Sequence, residues 1–139
     1  CLTAIDCKFL GSSHVINDPM LPYLSTGTTS HSIVKIGVNC FLGAGVWIFG
    51  DVTVGHGSII GAGAQVFDDV PPFSIVVGNP AKIVKRFSFP KNEWVAVSEF
   101  TDEDEMEIPD STSYLASLSD RVPFLDMPWI AAGRSLGNL

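Results

Sequence analysis

The chain has 139 residues, 46% of them hydrophobic, and a formal net charge of −7. This length suits one domain, or one domain with a tail, and the hydrophobic share is enough for a core. No run of 18 apolar residues is present, so we expect no membrane span. The acidic balance argues against nucleic-acid binding, which requires a basic face.

The negative charge is concentrated towards the C-terminus. Residues 1–87 carry five acidic and five basic side chains, whereas residues 88–139 carry ten acidic and three basic ones. An acidic run usually forms a solvated surface. We therefore expect one domain over residues 1–87 and an acidic C-terminal extension over residues 88–139, in which short helices could form.

The beginning of the chain and its three cysteines also carry information. The first residue is Cys1 rather than Met, and residues 1 to about 14 already fit a regular repeat, so we expect the natural N-terminus to lie upstream. Three cysteines are an odd number, and they lack the spacing of a metal site. We expect them to be small buried side chains in a reducing cytoplasm.

Residues 15–35 do not follow the six-residue repeat of the flanking chain and are predicted to form a loop. This stretch, "VINDPMLPYLSTGTTSHSIVK", contains two prolines, a glycine and a Ser/Thr cluster. Functional side chains are often held on such loops by a rigid scaffold.

From residue 36 to about 70 the sequence repeats every six residues. Aliphatic side chains recur at Ile36, Leu42, Ile48, Val54, Ile60 and Val66, and small or β-branched ones four positions after each. Turn formers that tolerate φ > 0 recur three positions after each, at Asn39, Gly45, Asp51, Gly57, Gly63 and Asp69. A hexapeptide period of this kind is typical of a parallel β-helix, with the aliphatic column inside and the turn residues at the corners.

This repeat resembles that of the hexapeptide-repeat acyltransferases, an all-β family. The resemblance implies a left-handed parallel β-helix in which three hexads make one coil of 18 residues, so residues 36–71 would form two coils. It covers residues 1–87 and does not extend over the C-terminal extension.

The stretch "SSHVINDPMLPYLSTG" is similar to the catalytic loop of the sugar and xenobiotic O-acetyltransferases of this family. The resemblance assigns His14 as the general base that deprotonates the acceptor hydroxyl while its oxygen attacks the thioester of acetyl-CoA. An imidazole with a pKa near 6.5 suits that role. Asp18 matches an acidic position of the motif and is expected to orient His14 or to contact the acceptor.

The stretch "DDVPPFSIVVGNPAKIVKRF" resembles the end of the β-helix in the same family, where backbone groups and basic side chains hold CoA. The resemblance implies that Lys82, Lys85 and Arg86 form a cationic end of the CoA groove, with Lys85 or Arg86 nearest the 3′-phosphate. Small residues permit close approach of a thin ligand. We expect such residues, Ala62, Gly63 and Gly78, to line the pantetheine channel.

The aromatic residues differ from the family pattern. Phe41 stands where many relatives have Trp, and Trp47 follows one hexad later. Either ring is expected to lie outside a rung and to contact the acceptor or a neighbouring subunit, so both are candidate substrate-binding residues.

Together these features predict a cytoplasmic, acetyl-CoA-dependent O-acetyltransferase that acts on a small molecule. A short coil leaves its faces poorly covered, so we expect a homotrimer with sites between subunits. Two alternatives remain: a non-catalytic β-helix module, or a zinc carbonic-anhydrase-like protein. The spacing of His14, His31 and His56 does not match stacked metal ligands, and we expect no metal.

Overall fold

The structure is a computed structural model that describes residues 1–121. Two compact units divide the chain, Cys1–Ile108 and Pro109–Leu139. The first unit contains every strand found among residues 1–121 and extends beyond the expected domain end at 87. In the second unit, the described residues form one α-helix.

Eleven strands and two α-helices make up the described chain. In chain order they are β1 (Leu2–Thr3), β2 (Lys8–Leu10), β3 (Val34–Ile36), β4 (Phe41–Leu42), β5 (Trp47–Phe49), β6 (Val52–Val54), β7 (Ile59–Ile60), β8 (Gln65–Val66), β9 (Ser74–Val77), β10 (Lys82–Ser88), β11 (Glu93–Ala96), α1 (Asp102–Met106) and α2 (Ser111–Arg121). Neither helix is long and apolar enough to cross a membrane, a finding that covers residues 1–121 only.

Strands β1 to β9 form a parallel β-helix whose three faces are three sheets, and β10 and β11 extend one of these sheets by antiparallel pairing. The sheet orders are β1-β4-β7-β9-β10-β11, β2-β5-β8 and β3-β6, and every pair among β1 to β9 is parallel. Phe41 pairs with Ile59, 18 positions later, which confirms the expected coil length. Leu2 pairs with Phe41, 39 positions later, so 39 − 18 = 21 extra residues leave the coil between them.

The predicted columns form the core. The aliphatic column from residue 42 onward is fully buried, and so is the column of small side chains. These buried residues are Leu42, Ile48, Val54, Ile60 and Val66 in the first column, and Cys40, Val46, Val52, Ser58, Ala64 and Val70 in the second. Burial of two side chains in each hexad holds successive coils together through the hydrophobic effect.

The turn column is only partly as predicted. Four of its members have positive φ, namely Asn39, Gly45, Gly57 and Gly63. The prediction was wrong for Asp51 and Asp69, because at the corner of Asp51 the positive φ belongs to Gly50. The Asp51 carboxylate accepts a hydrogen bond from Ile33 N at 2.6 Å, and Asp69 accepts one from Thr53 N at 2.6 Å. These aspartates therefore connect neighbouring coils.

Candidate active site

The excursion from the coil runs from residue 11 to residue 33 and has two paired arms. Ser32 N donates to Gly11 O at 2.7 Å, and Thr29 N donates to Ser13 O at 2.7 Å. Val15 N donates to Gly27 O at 3.1 Å. The arms are antiparallel, so the loop projects from the β-helix as a braced unit rather than as an open chain.

His14 lies on the first arm of this loop and is exposed. Its backbone forms an antiparallel bridge with Thr28, and the hydrogen bonds of Ser13 and Val15 fix the chain on both sides of it. The imidazole is therefore presented to solvent from a braced backbone, where a reacting hydroxyl can reach it.

Asp18 lies at the turn further along the loop and is also exposed. Its carboxylate accepts a hydrogen bond from Met20 N at 2.9 Å, which stabilises the local turn. In the part of the chain that the structure describes, no hydrogen bond or ion pair joins Asp18 to His14. Asp18 was expected either to orient His14 or to contact the acceptor, and no contact among the described residues supports the first of these roles.

Ala62, Gly63 and Gly78 lie together at a different corner of the β-helix, and all three are exposed. Gly63 N donates to Ala44 O at 2.8 Å, and Gln65 N donates to Gly78 O at 3.0 Å. A methyl group added at Gly63 would have no atom within 4 Å. The corner thus leaves open space beside its backbone, as a thin ligand requires.

The three basic residues near the end of the coils have different environments. Lys82 and Lys85 are exposed on β10, whereas Arg86 is buried. The guanidinium of Arg86 forms an ion pair with Glu105 and donates to Pro72 O at 3.1 Å. Arg86 therefore anchors α1 against the β-helix, and any cationic end of a ligand groove rests on Lys82 and Lys85.

A second polar contact joins β10 to α1. Ser88 donates to the buried carboxylate of Asp104, which also accepts from Thr101 N and Oγ1, both at 2.8 Å. The hydroxyl of Ser88, followed by the bonds from Thr101, holds the pKa of Asp104 below its ordinary value. The acidic run was expected to be a solvated surface. This expectation was wrong for Asp104, whose carboxylate is buried against Ser88, a residue 16 positions earlier in the chain.

The two candidate aromatic residues lie on different faces. Phe41 is on β4, whose outward position continues through Leu2, Ile59 and Ile75 as an apolar stripe. Trp47 is on β5, and the ammonium of Lys8 lies 4.7 Å from its ring centroid.

Sequence reasoning missed a pair of phenylalanines beside Trp47. The rings of Phe49 and Phe67 are stacked, with centroids 4.6 Å apart and an interplanar angle of 10°. The ring of Trp47 lies 6.0 Å from that of Phe49. Two aromatic residues 18 positions apart are the signal that predicts such a stack, because that spacing is one coil.

The other two histidines do not share the arm of the loop that carries His14. His31 is exposed on the second arm of the loop, and His56 packs edge-on against Phe73 with ring centroids 5.2 Å apart. Among residues 1–121 no group of three or more His, Cys, Asp or Glu side chains is placed to hold a metal ion.

The loop and the glycine corner are separated within one chain. The loop leaves at the end of β2, where Gly50 N donates to Leu10 O at 2.8 Å. The glycine corner precedes β8, and the face formed by β2, β5 and β8 lies between the two. The loop that carries His14 therefore leaves the coil at the opposite end of this face from the open corner.

Comparison with solved structures finds hexapeptide-repeat acetyltransferases. The chain is similar to a maltose O-acetyltransferase from Clostridium difficile 630, with 34% identity and a TM-score of 0.53 over 60% of this chain and 44% of that one. It is similar to a hexapeptide-repeat-containing acetyltransferase from Vibrio cholerae O1 biovar eltor complexed with acetyl coenzyme A, with 26% identity and a TM-score of 0.53 over 60% and 46%. A galactoside acetyltransferase in complex with coenzyme A shares the fold at 23% identity and a TM-score of 0.54 over 72% and 50%.

These matches confirm the family resemblance and the left-handed β-helix expected from the repeat. The chain spans half or less of the length of each of these proteins. No protein-family model matches the chain, and no curated protein matches it.

Proposed function

We propose that this chain, which has the left-handed β-helix of the hexapeptide-repeat acetyltransferases, transfers an acetyl group from acetyl-CoA to a hydroxyl of a sugar or another small molecule. The observation that carries the proposal is the exposed imidazole of His14 on a braced loop. Two of the similar structures contain CoA or acetyl-CoA, which supports acetyl-CoA as the co-substrate.

In the proposed reaction, His14 acts as the general base. Its neutral imidazole accepts the proton of the acceptor hydroxyl as the oxygen forms a bond to the acetyl carbonyl carbon. The C–S bond then breaks, and the CoA thiolate leaves and takes up a proton. An unassisted alcohol is a weak nucleophile at neutral pH, so the base is expected to contribute about 10²–10⁴-fold to the rate.

We further propose that the complete site forms between subunits of a homotrimer. Support comes from the fold of one chain, in which the loop of His14 leaves the coil at the opposite end of a face from the corner of Ala62, Gly63 and Gly78. A site that uses both groups would then combine them from two copies. The outward apolar stripe of Leu2, Phe41, Ile59 and Ile75 also favours burial in an interface.

In this arrangement the open glycine corner takes the pantetheine arm of CoA, and Lys82 and Lys85 attract its phosphates. A few cations at one end of the groove suit a polyanionic ligand. Asp18, Phe41 and Trp47 are proposed to contact the acceptor. The expectation that all three cysteines are buried was wrong, because Cys40 is buried but Cys7 is half-buried and Cys1 is exposed. Three free thiols fit a reducing compartment such as the cytoplasm.

A pair of histidine variants tests the role of His14. His14→Ala should lower kcat by about 10²–10⁴-fold while the Kd for CoA, measured by calorimetry, stays within about twofold of the wild type. His31→Ala is the matched control, because His31 is also exposed on the loop but lies on its other arm. Full activity of His14→Ala, or an equal loss in both variants, would remove His14 from the mechanism.

A further inference from the structure

His14 and Thr28 are paired across the two arms of the loop. Backbone hydrogen bonds flank this pair on both sides and none joins the pair itself; they run from Thr29 N to Ser13 O and from Val15 N to Gly27 O. In an antiparallel ladder such a pair has the closest side chains, with Cα atoms about 4.5 Å apart and both side chains on one face. The fold of the loop therefore places the side chain of Thr28 next to that of His14.

The hydroxyl of Thr28 differs from those of the neighbouring threonines because it is not used within the loop. Thr26 Oγ1 donates to Tyr23 O at 2.8 Å, and Thr29 Oγ1 accepts a hydrogen bond from Ser13 N at 3.0 Å. Within residues 1–121, neither the exposed hydroxyl of Thr28 nor the imidazole of His14 has a hydrogen-bond partner in the structure. The two groups can therefore turn towards each other without breaking a bond.

A general base needs its imidazole proton on the correct nitrogen. A neutral imidazole has one N–H donor and one nitrogen acceptor, and the hydrogen bond made by one nitrogen decides the state of the other. Nδ1 lies on the backbone side of the ring, at the level of a hydroxyl attached to Cβ of a paired residue, whereas Nε2 lies further out. The Thr28 hydroxyl is therefore placed to reach Nδ1 and to leave Nε2 open.

We propose that the Thr28 hydroxyl accepts a hydrogen bond from Nδ1–H of His14 and thereby keeps Nε2 unprotonated and directed towards the acceptor hydroxyl. The proposal rests on the proposed function, in which His14 is the general base. Threonine suits this task because its β-branched side chain has few χ1 rotamers, which restricts the position of the hydroxyl. Thr28 is thus a positioning residue, and it takes the role that the sequence analysis gave to Asp18.

Three variants of the loop test this role by kinetics with the best acceptor found for the wild type. Thr28→Val keeps the shape but removes the hydroxyl, so kcat should fall by about tenfold, the value of one hydrogen bond, with KM within about twofold. Thr28→Ser keeps the hydroxyl and should retain kcat within about threefold of the wild type. Thr26→Val is the matched control, because it removes a hydroxyl from the same arm, and its kcat should stay within about twofold. An equal loss in Thr28→Val and Thr26→Val would overturn the proposal.

A double-mutant cycle separates an effect on His14 from any other effect of Thr28. Because Thr28 acts through the imidazole, Thr28→Val should cause no further loss when it is added to His14→Ala. The same tenfold loss in the His14→Ala background would show that Thr28 contacts the acceptor or supports the loop, and would overturn the positioning role.

The tautomer of His14 is a readout that needs no substrate. The ¹⁵N chemical shifts of the His14 ring, recorded on the full chain at alkaline pH where the ring is neutral, distinguish Nδ1–H from Nε2–H. Wild type and Thr28→Ser should show mainly the Nδ1–H form, and Thr28→Val should show a larger share of the Nε2–H form. Identical tautomers in wild type and Thr28→Val would overturn the proposal.

The outcomes separate this proposal from the proposed function. If acetyl transfer depends on His14 but the tautomer and kcat do not depend on the Thr28 hydroxyl, only the positioning role is overturned. If the wild type acetylates no acceptor, the proposed function fails, and the tautomer measurement alone decides whether Thr28 holds the ring.

Discussion

The close contact between successive coils at Gly43 can be tested by one added methyl group. A Cβ built at Gly43 would lie 2.6 Å from Ala62 N, 2.8 Å from Ala62 Cα and 3.1 Å from Gly61 C. All three atoms belong to the backbone of the next coil, which is held by Gly43 N donating to Ile60 O at 2.8 Å. The neighbouring chain cannot move aside without the loss of such bonds.

The expected cost of Gly43→Ala follows from this geometry. Overpacking usually costs about 1–3 kcal/mol, and a rigid backbone neighbour places this site at the upper end. Replacing Gly by Ala also lowers the conformational entropy of the unfolded chain, which stabilises the folded state by about 0.4–1 kcal/mol. We therefore expect a net loss of about 2 kcal/mol in the free energy of unfolding. The same displacement moves Ala62, so CoA affinity should also fall.

Gly50→Ala is the matched control for that experiment. Gly50 has φ of 77°, but an added Cβ would have no atom within 4 Å, so only the left-handed backbone conformation is penalised. Because the same entropic stabilisation offsets part of this penalty, the net loss in the free energy of unfolding should be about 1 kcal/mol or less. Urea unfolding followed by circular dichroism measures both variants. Equal stability of the two variants would refute the argument that coil contact requires glycine at residue 43.

Three other predictions address assembly and the contacts of α1. Sedimentation should give a species of three times 14.9 kDa, and a stable monomer at micromolar concentration would contradict the intersubunit site. Arg86→Met removes the partner of Glu105 and should lower the free energy of unfolding by about 2 kcal/mol, and an unchanged urea midpoint would count against it. Because hydrogen bonds lower the pKa of Asp104, its ionised form stabilises the fold above the unfolded-state pKa of about 3.9, and this contribution is lost as pH falls through the folded-state pKa. Asp104→Asn should therefore be less stable than wild type at pH 7, with a shallower fall in stability between about pH 5 and pH 2, and parallel curves would refute this.

The fold was predictable because each hexad repeats the same local rule. Burial every six residues requires a chain that turns after each short strand, and Ile48, Val54 and Ile60 are buried as that rule demands. The corner at Asp51 was not predictable from the residue type. Asp tolerates a left-handed conformation, but its carboxylate also accepts hydrogen bonds, and at this corner contact with the neighbouring coil decided its role.

The candidate site was predictable only where it depends on short motifs. The position of His14 on a loop follows from the break in the repeat. The burial of Arg86 does not, because its partner Glu105 is 19 residues later in a run that looks like solvated surface. The stack of Phe49 and Phe67 depends on the 18-residue coil length, which the resemblance implied and the strand pairing confirmed.

The most direct test of the central claim is release of CoA from acetyl-CoA in the presence of a panel of hydroxyl acceptors. The panel should include sugars, hydroxylated antibiotics and serine, with thiol release followed by a colour reagent and acetylated product identified by mass spectrometry. We predict acceptor-dependent release by wild type that falls by about 10²–10⁴-fold in His14→Ala. Absence of release with every acceptor, or release that is independent of His14, would contradict the account.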